Sequence, residues 1–271
     1  MPEGPEILFF SVFLKQKFIK SKISDVKSYV DPAIILPTDF EGSIVDISSK
    51  GKLLWIKVTS NTANKYYYVH IHFGLDGWIL FENPKDFVKY ELKLETNNKQ
   101  QIIIYLEDKT RLSKLKICEE LEHHEILNKL GVEIFKKEFT LEKFSSVIKH
   151  KNMMLASFLL KQDLFCGIGN YIKNEVLYMS KLPIKVKTRE LSDVQIAQLY
   201  KNILFVAYSS LMEQLENQKI KEYLGSEYKI NIPDKLEVPY TYKIYRRTTT
   251  DEGKKIIKIK IGGRDTYTIE E

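Results

Sequence analysis

The chain has 271 residues, 44% of them hydrophobic, with a formal net charge of +6, two cysteines and five histidines. That length can bury one large core or two modest ones. The composition excludes a disulfide scaffold and a four-cysteine metal module, and no apolar run approaches a membrane-spanning length.

Residues 1–20 lack the basic start of a secretory signal, so an intracellular, reducing compartment is expected. The mild basic excess permits nucleic-acid binding without requiring it. The chain opens with MPEGPEI, two prolines and two glutamates within seven residues. Initiator Met is usually removed before a small residue, which leaves Pro2 with a free secondary amine and Glu3 and Glu6 close behind. As local grammar, proline in a first turn and acids at the positive dipole end predict a helix start. Ile7 to Phe18 continues it as a buried helix with a lysine-rich tail.

From there to about Lys116 the segments KISDVKSYV, SIVDI, KLLWIKV, YYYVHIHF, WILF, YELKLE and QIIIYLE predict short strands, hence a sandwich or barrel. The period turns helical near Glu119: EELEHHEILNKL, TLEKFSSVIKH, MMLASFLLKQ and NEVLYMSKL, then one long helix opened by a Ser192 cap. Two domains are expected, 1–118 and 119–271, with the boundary in the charged, helix-like region 117–135. The stretch 221–239 reads as a loop. The end of the chain, from about 240, reads as two strands joined by a turn around Asp251 to Gly253.

Four short stretches have the chemistry of a site, each with a plain structural reading beside it. In GIGNYIKNE, Gly167 and Gly169 precede Asn170 at a helix start, where backbone N–H groups suit a phosphate; Asn170 is also simply a good N-cap. Between Tyr240 and Glu271, eight basic residues stand against five acidic ones. There the corner Gly262-Gly263-Arg264 lets Arg264 reach a phosphate, unless the lysines only protect an edge hairpin. In HFGLDGW, Leu75 sits on a glycine-bracketed turn, as a core residue or as a wedge between bases. His70 and His72 share a strand face and read as satisfied core histidines. Lys50 and Lys52 flank Gly51 at a strand entrance. The histidines and cysteines form no ligand set, so no metal is expected.

Taken together and in this order, PEGPEI, Gly51-Lys52, His72 to Gly77, GIGN and GGRDTY resemble the formamidopyrimidine-DNA glycosylase / endonuclease VIII family of base-excision repair enzymes. Gly4 looks more like the endonuclease VIII side. The resemblance implies an α+β fold of two domains. The first is an N-terminal helix with an eight-stranded β-sandwich; the second is helical, with a helix-two-turns-helix motif and a C-terminal β-hairpin finger at about 240–271. Most of the family hold zinc in that finger through four cysteines, and here there are none. This looks like the zincless-finger branch typified by the vertebrate endonuclease VIII-like protein 1, with relatives in plants and large DNA viruses.

A second departure is DKTRLSK, from Asp108 to Lys114, where the family usually has D-x-R-R-F-G. The resemblance implies that Leu75, Arg111 and Leu112 fill the gap left by a flipped nucleotide. Lys52, Asn170 and Arg264 are then phosphate clamps, with Gly167 and Gly169 shaping the turn. Pro2 becomes the amine nucleophile, Glu3 a proton shuttle and Glu6 an anchor. The implied activity is a bifunctional glycosylase and abasic-site lyase acting on oxidised pyrimidines, ring-opened purines and hydantoins. The partner is damaged DNA, duplex or single-stranded; a monomer with no cofactor and no membrane is implied. The altered loop supports one rival, a non-catalytic DNA-damage or architectural DNA-binding protein on the same fold. A metal-dependent nuclease is disfavoured, because no acidic or histidine cluster is evident.

Overall fold

The computed structural model describes residues 2–30, 32–215, 233 and 235–270. The chain divides into two compact units, Met1–Lys129 and Leu130–Glu271. No helix among the described residues is long and apolar enough to cross a membrane.

The first unit begins with α1 (Gly4–Phe18) and continues through β1 (Lys22–Ser28), β2 (Phe40–Lys50), β3 (Leu53–Ser60) and β4 (Tyr66–His72). Then come β5 (Trp78–Leu80), β6 (Val88–Glu95), β7 (Gln101–Glu107), β8 (Lys114–Glu119) and α2 (Glu120–Asn128). The strand order is β5-β7-β6-β1-β2-β3-β4-β8. Only the pair Lys22↔Ser43 joins β1 to β2, so the eight strands form two four-stranded halves of a sandwich. Alternation along β3 buries Leu54, Ile56 and Val58, which meet Ile104, Leu106, Leu92 and Leu94 of the other half in one core. From α1 that core receives Ile7, Phe10, Leu14 and Phe18. Phe10 stacks on Phe73 and meets Trp78 edge-on, tying the helix to the segment around the β4–β5 turn. Each such buried side chain contributes about 1.5–3 kcal/mol.

The charged stretch expected to open the second domain belongs to the first. α2 packs on β4 and β8, where His123 stacks on Tyr68 at 3.8 Å and shares a 2.8 Å hydrogen bond with His70. The boundary therefore falls at Lys129/Leu130, inside the expected region 117–135 but beyond 118/119. His70 is the satisfied core histidine expected; His72, at the strand's end, is exposed.

The second unit holds β9 (Val132–Glu133), α3 (Leu141–Lys149), α4 (Leu155–Leu159), β10 (Phe165–Cys166), α5 (Asn170–Met179), α6 (Asp193–Gln214), β11 (Ile256–Ile261) and β12 (Arg264–Ile269). Thr140 and Ser192 cap α3 and α6 by accepting the N–H groups of Lys143 and Gln195. Phe139, Phe144, Phe158 and Phe165 form an aromatic core between the helices. The parallel pairing of β9 with β10 is too short to leave a sequence pattern. Most of the loop expected over 221–239 lies outside the described residues.

The terminal hairpin is displaced from the expected one. β11 and β12 pair through the Gly262-Gly263 turn, from Ile256↔Ile269 to Ile261↔Arg264. The Asp251 to Gly253 turn closes only on an isolated Thr249↔Lys255 bridge. The stretch around 243–245 is no strand because a side chain has taken its backbone: Glu175 accepts the N–H groups of Lys243, Ile244 and Tyr245, at 2.7–3.0 Å.

Burial lowers both His70 and His123 from the ordinary imidazole value of 6.5 to about 4. Unfolded imidazoles bind protons near 6.5 and the folded pair only near 4, so the unfolded chain binds more protons in that interval. Stability should therefore fall as pH drops below about 6.5. The unfolding midpoint is expected to decrease steadily from pH 7 to pH 5, and less steeply in His123→Gln, as followed by circular dichroism.

Candidate active site

α1 starts where the sequence places it, with Glu3 as its N-cap and Gly4 and Pro5 in its first turn. Glu6 reaches back to accept the Glu3 N–H at 2.7 Å, which anchors the entry segment as expected of it. Glu3 is fully buried and Glu6 nearly so; Pro2 stands ahead of the helix and is also buried. The helix runs antiparallel to β2, since Lys15 pairs with Asp46 and Ser11 meets Ser49 further along. Its N-terminus thus lies toward the end of the β2–β3 hairpin.

That end of the sheet gathers residues far apart in sequence. Leu53 of β3 lies opposite His72 of β4, which lies opposite Lys114 of β8. The Gly51-Lys52 turn, the turn after His72 and the loop before Lys114 therefore emerge together. Gly51 has φ +59° at the first position of a two-residue turn, the conformation that favours glycine there and sets Lys52 at its tip. Lys50 is spent elsewhere, donating to the Leu127 carbonyl. His72 accepts the Gly74 N–H and so braces the turn that carries Leu75. Although His72 is exposed overall, neighbouring atoms desolvate its ring and, with the Lys52 and Lys114 cations, hold its pKa below the ordinary value.

The three expected void-filling residues come together through one close backbone approach. A Cβ on Gly74 would lie 2.6 Å from the Leu112 carbonyl carbon, so only glycine lets the Leu75 turn sit on the 111–113 loop. Leu112 is 53% exposed, a large apolar side chain offered to solvent beside exposed Arg111. Thr110 bonds Asp108 through both its N–H and its hydroxyl. Burial pushes the Asp108 pKa up, but hydrogen bonds from Ser113 and Thr110 outweigh it and hold the carboxylate below its ordinary range.

In the second unit the GIGN turn differs in detail from expectation. Asn170 is the first helical residue of α5 and Gly169 is the cap. The Gly167 N–H is already donated to Gln162, which also bonds the Ile168 carbonyl, so Gly167 shapes the turn and offers no free donor. The hairpin glycines are likewise structural. Gly262 and Gly263 both have positive φ, as a two-residue turn of this kind requires, and a Cβ on Gly262 would strike the Ser157 hydroxyl. Arg264 begins β12 just beyond them, exposed.

Sequence reasoning missed what ties Asn170 to this hairpin. Lys173, with no exposed surface, donates to Asn170 Oδ1, to the Asp265 carbonyl and to Thr266 Oγ1, each at 2.9 Å. Asn174 accepts the Tyr267 N–H, and Glu175 also accepts the Tyr240 hydroxyl. In the sequence KNE is only three polar residues in a row; the fold alone buries all three. Replacing Lys173 by Met should free the hairpin from α5. Amide exchange of β12 is expected to quicken by about 1–3 kcal/mol of lost protection, with α6 unaffected.

Two family models match the chain. The formamidopyrimidine-DNA glycosylase N-terminal domain covers residues 1–115, and the formamidopyrimidine-DNA glycosylase H2TH domain covers residues 130–221. A formamidopyrimidine-DNA glycosylase of Listeria monocytogenes is 26% identical over 98% of this chain and 97% of its own length. One from Arabidopsis thaliana is 23% identical over 100% of this chain and 70% of its own. Among solved structures, the Lactococcus lactis enzyme bound non-covalently to DNA with an abasic site has a TM-score of 0.75 at 18% identity, covering 99% of this chain and 98% of its own. The protein from Thermus thermophilus also reaches 0.75, at 22% identity, covering 98% and 96%. Both domain models, in order along one chain with this fold, place the protein in the formamidopyrimidine-DNA glycosylase / endonuclease VIII family of base-excision DNA glycosylases.

Proposed function

We propose that the chain is a bifunctional DNA glycosylase and abasic-site lyase that removes oxidised bases through a Schiff base on Pro2. The observation that carries this reading is the N-terminal segment. A capped helix start holds Pro2 and Glu3 toward the sheet end from which Lys52 and the Leu75–Leu112 wedge emerge. The names of the relatives, and a Lactococcus lactis complex with DNA containing an oxidised pyrimidine, support the substrate class.

A base inside the stack shields its sugar, so the nucleotide must be extruded and its gap filled, here by Leu75, Arg111 and Leu112. With Met1 removed, the Pro2 secondary amine attacks C1′, the C1′–N bond breaks and the base departs. An α-amino group titrates near pH 8, so a fraction is neutral and nucleophilic at physiological pH. Loss of the amine proton, with protonation of O4′ and cleavage of the C1′–O4′ bond, opens the sugar ring and gives an iminium, which acidifies the C2′ proton. Removal of that proton expels the 3′-phosphate by β-elimination, and a second elimination can release the 5′ side. Glu3, adjacent to the nucleophile, serves as the proton carrier to the sugar oxygen. Lys52, Asn170 and Arg264 bind backbone phosphates and set register without reading sequence. The hairpin is proposed as a zincless finger: residues 240–271 contain no cysteine, and Glu175, Lys173 and the tyrosines around Tyr245 hold it.

Borohydride added to the processed protein on a thymine-glycol duplex should trap a covalent adduct, absent in Pro2→Ala and when Met1 or a tag is retained. No adduct from correctly processed protein would remove the enzyme reading and leave a non-catalytic binder. Arg264→Ala should weaken duplex binding and lower the slope of log K against log salt by about one; fluorescence anisotropy across a salt series measures it.

A further inference from the structure

The loop that carries Arg111 and Leu112 is held from two sides by buried charges. From one side, Asp108 accepts the Thr110 N–H at 3.0 Å, the Thr110 hydroxyl at 2.7 Å and the Ser113 N–H at 2.6 Å. From the other, Lys89 of β6 donates to the Arg111 carbonyl at 2.7 Å and to the Ser113 carbonyl at 2.6 Å. Lys89 is 3% exposed, and the chain beside it is fixed by the Asp108 N–H bonding the Phe87 carbonyl. The carbonyls taken by Lys89 flank Leu112, whose side chain stays largely outside. Arg111 has φ +57°, a left-handed conformation that a non-glycine residue keeps only where its surroundings over-determine it. Charge-assisted bonds from a buried ammonium are among the stronger restraints a loop can have.

We propose that Lys89 is a positioning residue that presets this loop as a rigid wedge, so that extrusion of a nucleotide from duplex DNA depends on it. The inference rests on the base-extruding reading above and assigns a specificity-determining role within it. A wedge already ordered spends none of its insertion energy on ordering itself, and so retains more for unstacking bases. A nucleotide already unpaired needs no wedge. Lys89 should therefore matter for duplex substrates and not for the chemistry that follows.

The test compares wild type, Lys89→Met, Lys89→Gln and Lys89→Arg on one oligonucleotide with a preformed abasic site, as duplex and as single strand. A 2-aminopurine next to the site reports insertion in the duplex by stopped-flow fluorescence. Lys89→Met is expected to slow the fluorescence rise and duplex cleavage at least tenfold. Borohydride trapping on the single strand should stay within twofold of wild type. Lys89→Arg, which keeps cationic donors, should recover most of the duplex rate. If Lys89→Met is poorly folded by circular dichroism, Lys89→Gln, which retains a shorter donor, carries the same comparison. An unchanged fluorescence rise, or an equal loss on duplex and single strand, overturns the proposal. Wild-type protein that neither cuts nor traps either form overturns the glycosylase reading itself, and this one with it.

Discussion

A lysine ammonium with no exposed surface, joined to the side chain of Asn170 and to the first residues of β12, is the interaction on which the second unit's candidate site depends. Burying a cation is costly unless its donors are met, and Lys173 meets three acceptors within one helical turn and one hairpin. Two residues on, Glu175 repeats the device with opposite sign, collecting three backbone N–H groups and a tyrosine hydroxyl. Together they attach the 240–245 segment and a small two-stranded hairpin, which would be marginal alone, to a buried helix. α5 supplies charge and hydrogen bonds to the hairpin, and Arg264 stands on the strand end that Lys173 fixes.

The first unit solves a related problem with sheet register. Because Leu53, His72 and Lys114 stand in line across β3, β4 and β8, three connections emerge at one end. Each is then shaped by something specific: Gly51 by its positive φ, the Leu75 turn by His72 and by the bare face of Gly74, and the 108–113 loop by Asp108 and Lys89. Exposed Arg111 and Leu112 are thus the outer face of a buried electrostatic arrangement. Thr110 belongs to the same arrangement, since its hydroxyl bonds Asp108.

Several readings of the sequence failed for reasons of the same kind. The last hairpin was expected to turn at Asp251 to Gly253, because alternation on both sides looked equally strand-like. A carboxylate from a distant helix captured the backbone of 243–245, and the pairing moved to Gly262-Gly263. Asn170 was expected as an N-cap, but the flanking Gly169 takes that place and frees the amide for Lys173. His72 was expected in the core with His70; the strand ends at His72, leaving it exposed. The run 120–128 looked like the start of a new domain by its helical period, yet His123 buries it against Tyr68 and His70.

Local chemistry determined by itself the α1 start, the Ser192 helix start and the sandwich strands. These depend on periodicity and capping, both of which act within a few residues. Tertiary structure alone decided which polar residues are buried, and therefore which side chains position the site. Lys89, Asp108, Lys173 and Glu175 are unremarkable in a chain rich in charge. Their roles follow from partners distant in sequence or from burial, because a buried charge is stable only where the fold brings it enough partners to replace water.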